Sequence, residues 1–193
     1  MGDRKHRVCP VSKAGGLDNR IRRWVQNPRK IVGPYVKEGM TVLDVGCGPG
    51  FFSMDIAYMV GESGRVIACD LQDGMLQKLG KKLVGTPIQD RITLHKCEKD
   101  RLGLSESVDF VLAFYVVHEI PNQQDFFREI KTILKPGGKM LIVEPPFHAS
   151  HREFDETVRR ARETGFTVVE KPAILLNKAV VLGVAHEPGE EAL

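Results

Sequence analysis

Read as apolar and polar positions, the chain alternates two kinds of segment. Short apolar runs, bounded by glycine, proline or acidic residues, occur at 41–45, 65–70, 91–95, 107–114 and 139–144. Runs of that length suit the buried strands of a parallel sheet. Between them, apolar residues recur every three or four positions, as in helices that bury one face. Such stretches span 51–60, a segment opening at Asp73 with Met75, Leu76 and Leu79, one opening at Asn122 with Phe126, Phe127, Ile130, Ile133 and Leu134, and 150–164. The start signals are chemical: Asp73 is placed to cap its helix, Asn122 with Asp125 opens the next, and Ser150 with Glu153 forms a capping box. Gly61 and Gly64 stop the first helix, and Lys135-Pro136-Gly137-Gly138 stops the third. Residues 166–170 and 178–185 read as two closing strands, and their short connection makes them antiparallel. Five strands alternating with helices, then a hairpin, predict an α/β fold with a doubly wound sheet.

Upstream of the first strand the pattern is weaker. Residues 1–16 are polar and punctuated by Cys9-Pro10 and Gly15-Gly16. Asp18 is placed to cap a helix carrying Ile21, Trp24 and Val25, and Pro28 either breaks it or starts a second helix through Ile31, Val32 and Tyr35. Residues 186–193 form an acidic tail without a packing signal. The 193 residues therefore predict a single domain.

Composition changes this picture little. No apolar run reaches the ~20 residues of a membrane span, and residues 1–8 are too charged for a secretory signal. Cys9, Cys47, Cys69 and Cys97 have no paired spacing, so reduced thiols and a cytoplasmic protein are expected. Charge is uneven: residues 1–37 hold ten Lys and Arg against Asp3 and Asp18, a net +8 within a total of +3. Without interleaved aromatics this reads more readily as a solvated arm than as a nucleic-acid surface.

The chemistry concentrates in T-V-L-D-V-G-C-G-P-G-F-F, residues 41–52. A strand feeds Gly46, Gly48 and Gly50, whose backbone can approach a ligand closely, and a helix N-terminus follows. A dinucleotide loop needs its third glycine one residue later, where this chain has Phe51, and Asp44 would repel a pyrophosphate. The second strand ends in Asp70, where a carboxylate can accept both hydroxyl protons of a ribose. Asp44-Val45-Gly46-Cys47-Gly48-Pro49-Gly50 resembles the first motif of class I S-adenosylmethionine-dependent methyltransferases, acidic-x-Gly-x-Gly-x-Gly, without departure. The L-K-P-G-G pattern at 134–138 is similar to the same family.

That resemblance, covering roughly 37–185, implies a Rossmann-like three-layer sandwich. Its seven-stranded sheet would be mostly parallel, of order 3-2-1-4-5-7-6, with the last strand antiparallel. It implies a cofactor site made of Asp44, Gly46, Cys47, Gly48, Gly50 and Phe52, then Asp70, Leu71 and Met75. Cys97, Glu98 and Lys99 stand where the family places an acid for the adenine amino group, and Phe114 with Tyr115 ends the fourth strand. The implied activity is methyl transfer from S-adenosylmethionine to a small molecule by in-line displacement, leaving S-adenosylhomocysteine. Neither a specific nucleic acid nor a membrane is expected as partner. The core would be 37–185, with 1–36 a helical lid over the acceptor pocket, because no insertion after the fifth strand covers it.

A base is needed only when the acceptor arrives protonated. His118 and Tyr115 are the candidates, with Glu119 and Glu144 on the same rim. A structural histidine bonded to a loop carbonyl is the other reading of His118, and a pocket wall the favoured reading of Glu144-Pro145-Pro146. His148-x-x-His151 lacks a third ligand, so no metal is expected. Residues 27–44 also bear some likeness to arsenite methyltransferases, but the C-terminal cysteines of that family are missing. The rival functions are an RNA or protein methyltransferase using the basic segment, and a non-catalytic S-adenosylmethionine-binding regulator.

Overall fold

The structure, a computed structural model, describes residues 26–146 and 150–184. Helix α1 (Pro28–Val32) precedes β1 (Thr41–Val45), α2 (Ser53–Met59), β2 (Arg65–Asp70), α3 (Asp73–Leu83) and β3 (Ile92–Lys96). Then come β4 (Val108–Phe114), α4 (Gln123–Ile133), β5 (Leu134–Glu144), α5 (His151–Glu163), β6 (Phe166–Glu170) and β7 (Lys178–Val184). The strands form one sheet of order β3-β2-β1-β4-β5-β7-β6. β1 to β5 pair in parallel, and β7 runs antiparallel to both β5 and β6.

Alternation along each strand builds two cores, because successive side chains leave opposite faces of the sheet. Val42, Val66, Phe110, Leu112 and Leu141 pack on one side with Ile56 of α2 and Leu79 of α3. Leu43, Ile67, Val111, Met140 and Ile142 pack on the other with Phe127 and Ile130 of α4 and Phe154 of α5. The result is the three-layer doubly wound sandwich. Val32 and Val36 also enter the first core, and Tyr35 stacks on Phe110 with ring centroids 5.6 Å apart.

Several local expectations change. Helix α2 begins at Ser53, so the glycine loop extends through Phe52 before turning helical. Asp73 does not cap α3: Gln72 occupies the cap position without a side-chain bond, and Asp73 instead receives Lys96 Nζ at 2.6 Å. The Lys135–Gly138 segment belongs to β5, with an irregular register in which Leu134 faces Val108 and Lys139 faces Phe110. Lys135 Nζ ties that segment to Asp109 at 2.8 Å. The capping box of α5 and the Asn122 cap of α4 form as their sequences suggest. The expected helix carrying Ile21, Trp24 and Val25, His148, and the tail all lie outside the described residues.

Candidate functional site

The order of the sheet reverses between β1 and β4, and the crevice there opens at the carboxyl ends of the strands. A cavity of about 300 Å³ occupies it. From β1 it takes Asp44 and the loop residues Gly46, Cys47, Gly48 and Phe52; from the end of β2, Asp70 and Leu71; and from α3, Met75. The segment after β3 supplies Cys97, Glu98 and Lys99, and the end of β4 supplies Phe114, Tyr115 and His118. Of the expected cofactor residues, Gly50 does not line it. Its α-carbon lies under the loop against Leu79 of α3.

The glycine loop is held from both sides. Asp44, 2% exposed, accepts a hydrogen bond from Ser53 Oγ at 2.6 Å, tying the strand end to the start of α2. Asp70 accepts from the Gly48 N–H at 2.9 Å and from the Gln72 N–H at 2.8 Å. Cys47 N–H donates to the Cys69 carbonyl at 3.0 Å, and Lys82 Nζ donates to the Pro49 carbonyl at 2.9 Å. Burial pushes the Asp70 carboxyl up from its ordinary pKa, and the backbone N–H groups of Gln72, Gly48 and Leu71 pull against that. Burial, with the Asp44 and Asp70 carboxylates, likewise raises the Cys47 thiol. Cys47 is thus a protonated apolar lining group rather than a nucleophile.

The far wall is organised by contacts between residues distant in sequence. Tyr115 adopts φ +62°, a left-handed conformation that is strained for a tyrosine. Its N–H donates to the Val143 carbonyl at 2.8 Å, its hydroxyl donates to Asn177 Oδ1 at 2.5 Å, and Gln26 Nε2 donates to that hydroxyl at 2.5 Å. Phe52, Phe114 and Tyr115 form a row of tilted rings, with centroids 4.4 Å and 4.3 Å apart. The His118 ring is bonded through Nδ1 to the Glu144 carboxylate. Glu144 is not the pocket wall: it lies 1% exposed behind the cavity, and Pro145 takes the wall position. Glu129 of α4 braces the 98–103 loop by accepting from the Leu102 N–H at 2.7 Å.

Sequence reasoning had no signal for the Gln26–Tyr115–Asn177 chain or for Glu129, since each bond spans 26 residues or more. Glu98 lines the cavity in an exposed position, its N–H donating to the Arg101 carbonyl at 2.9 Å. Among the described residues no group of three His, Cys, Asp or Glu could hold a metal ion, and no helix is long and apolar enough to cross a membrane.

The site can hold a ligand that brings hydroxyls to Asp70 and a positive charge near Asp44, between aromatic walls. Asp70 suits a ribose because each carboxylate oxygen can accept more than the one N–H it already holds. These features fit S-adenosylmethionine.

The chain is similar to known proteins. A family model described as a methyltransferase domain matches residues 36–178. A demethylmenaquinone methyltransferase of Lactobacillus johnsonii is 34% identical over 110 residues, 56% of this chain and 45% of that protein. A ubiquinone/menaquinone biosynthesis C-methyltransferase of Azotobacter vinelandii is 26% identical over 132 residues, 68% of this chain and 50% of that protein. The chain thus spans about half the length of the curated relatives it matches. Among solved structures, a SAM-dependent methyltransferase from Aquifex aeolicus matches with a TM-score of 0.83 at 26% identity, covering 92% of this chain and all of that one.

Proposed function

This chain belongs to the methyltransferase domain family of the class I, S-adenosylmethionine-dependent type, and from that premise we propose that it methylates a small hydroxylated aromatic molecule, at a ring carbon. The observation that carries the cofactor side of this reading is the Gly48–Asp70 brace at the sheet's reversal point. It holds the glycine loop and presents a buried carboxylate in one stroke. Bound S-adenosylmethionine would supply a methyl group on a positively charged sulfur, so the carbon to be transferred is already activated.

The chain's own residues then bind, orient and exclude water. Asp70 would receive the ribose hydroxyls, and Glu98 or the loop around it would meet the adenine edge. Asp44 favours the cationic end of the ligand over a phosphate. Phe114, Tyr115, Val116, Ile120, Phe126 and Pro145 make the remaining wall, a surface suited to a flat apolar ring. The named relatives, which act in ubiquinone and menaquinone biosynthesis or on demethylmenaquinone, support that acceptor class.

Titration calorimetry should show S-adenosylmethionine and S-adenosylhomocysteine binding and NAD not binding. Mass spectrometry of incubations with reduced 1,4-naphthoquinone should then show a product heavier by one methyl, on carbon. Tight NAD binding overturns the cofactor reading, and methylation confined to an RNA or protein pool overturns the acceptor reading.

A further inference from the structure

Behind the acceptor wall lies a device that cofactor binding does not use. Glu144, at the end of β5 and 1% exposed, grips His118 twice. Its Oε1 accepts from the His118 backbone N–H at 3.0 Å, and its Oε2 meets the ring Nδ1 at 2.5 Å. An ionised carboxylate only accepts, so the hydrogen between them sits on Nδ1 and the tautomer is set. Proton exchange with an acceptor therefore falls to Nε2, which lies 4.0 Å from Glu119 Oε1. His118 and Glu119 both line the cavity, beside Tyr115 and Pro145.

We propose that His118 is the catalytic base, positioned by Glu144, that removes the hydroxyl proton of an aromatic acceptor before methyl transfer. This rests on the function proposed above. A neutral amine attacks an activated methyl carbon without a base, whereas an un-ionised phenolic hydroxyl leaves its ring a weak nucleophile. A buried carboxylate held against a cavity histidine is a costly arrangement for stability alone. It is the arrangement a base needs to stay oriented and to become an imidazolium. In the step, the acceptor O–H bond breaks, its electron pair remains on oxygen, and the proton forms an N–H bond at Nε2. The phenolate's charge spreads to the ring carbons, which is what carbon methylation requires. The proton of the methylated ring carbon's C–H bond then passes to the phenolate oxygen and restores the aromatic hydroxyl. The imidazolium afterwards returns its proton to water.

Three carboxylates act on the imidazole from the elements around it: Glu144 on β5, Glu119 on the turn that holds His118, and Glu153 on α5. Burial disfavours the charged ring, yet together they outweigh it and hold the pKa above the ordinary histidine value. The base is active when neutral, so ionisation of the acceptor should rise with pH through that raised value and be weak below about pH 6.5.

The test uses 4-nitrophenol, whose ionised form is visible by absorbance, with the full chain loaded with S-adenosylhomocysteine. Bound probe should be ionised at a pH below its free transition, and His118→Asn should abolish that shift. Glu144→Gln should move the pH dependence downward, which a purely structural carboxylate would not do. Nitrogen NMR of the unsubstituted protein should show the Nδ1–H tautomer, a reading that stands even if a variant fails to fold. A probe that binds un-ionised or not at all, ionisation that survives in His118→Asn, or an Nε2–H tautomer overturns the proposal. Cofactor affinity is measured separately by calorimetry: cofactor binding without probe ionisation removes only the base, whereas no cofactor binding removes the functional reading itself.

Discussion

Asp70 sits under opposing demands. Burial disfavours its charge, while the Gly48 and Gln72 N–H groups and a ribose would each favour it. A carboxylate kept in such a place is more easily explained by a ligand than by folding. On the proposed role, Asp70→Ala removes the acceptor for the cofactor, and it also releases the Gly48 N–H. We expect the affinity for S-adenosylhomocysteine to fall by about 1.5–3 kcal/mol, the usual cost of losing hydrogen bonds to a charged group. Calorimetry on the variant checks it, and an unchanged affinity would remove Asp70 from the site. Asp70 was legible in sequence because it ends a short strand beyond the glycine loop. Its brace on Gly48 was not, because that bond crosses from β2 to the β1 loop.

The β1–α2 loop works as an element because two of its glycines do different things. At Gly50, φ is +86° and an added Cβ would stand 2.3 Å from Leu79 Cδ1, so both the backbone and the packing of α3 require glycine. At Gly48, φ is +55° and an added Cβ would meet nothing within 4 Å. Gly48→Ala should therefore cost about 1–2 kcal/mol, the penalty of a left-handed alanine. Gly50→Ala should cost roughly 3 kcal/mol or more, since overpacking adds to the same strain. Urea denaturation of the two variants distinguishes them; equal losses would mean that Leu79 gives way. The motif spacing pointed to both glycines as ligand contacts, whereas Gly50 makes its contribution to the fold beneath the loop. Boundaries shifted for similar reasons: Asp73 pairs with Lys96 across to β3 instead of capping α3.

At the scale of the molecule, Tyr115 joins three distant segments: Gln26 before α1, the end of β4, and Asn177 just before β7. Gln26 thus reaches the cavity rim, while Val32 and Val36 are buried in the core beside α2. If residues 1–36 form the expected lid, Gln26 bonded to the Tyr115 hydroxyl is a point at which it is fastened. Asn177→Ala should lower turnover about tenfold while changing cofactor affinity less than about twofold, because positioning of the acceptor rather than cofactor binding is lost. Steady-state kinetics beside calorimetry read the two effects, and a fall in both together would place Tyr115 in cofactor binding instead.

The sequence by itself determined the period of every strand, the glycine loop, Asp70 and the α5 capping box, since each rests on neighbours within a few residues. Two-sided burial is written in apolar runs such as the F-V-L-A-F of β4, and resemblance to the methyltransferase family added the strand order. Only the tertiary structure decided which side chains meet. Glu144 read as a wall because Pro145-Pro146 follows it, yet the parallel β4–β5 pairing brings Glu144 behind the turn that leaves β4, where it captures His118. The strained φ of Tyr115 likewise has no local cause in Phe114-Tyr115-Val116: it accompanies hydrogen bonds to Val143, Gln26 and Asn177. Sheet register and loop closure act between residues far apart in the chain, and no local pattern encodes that distance.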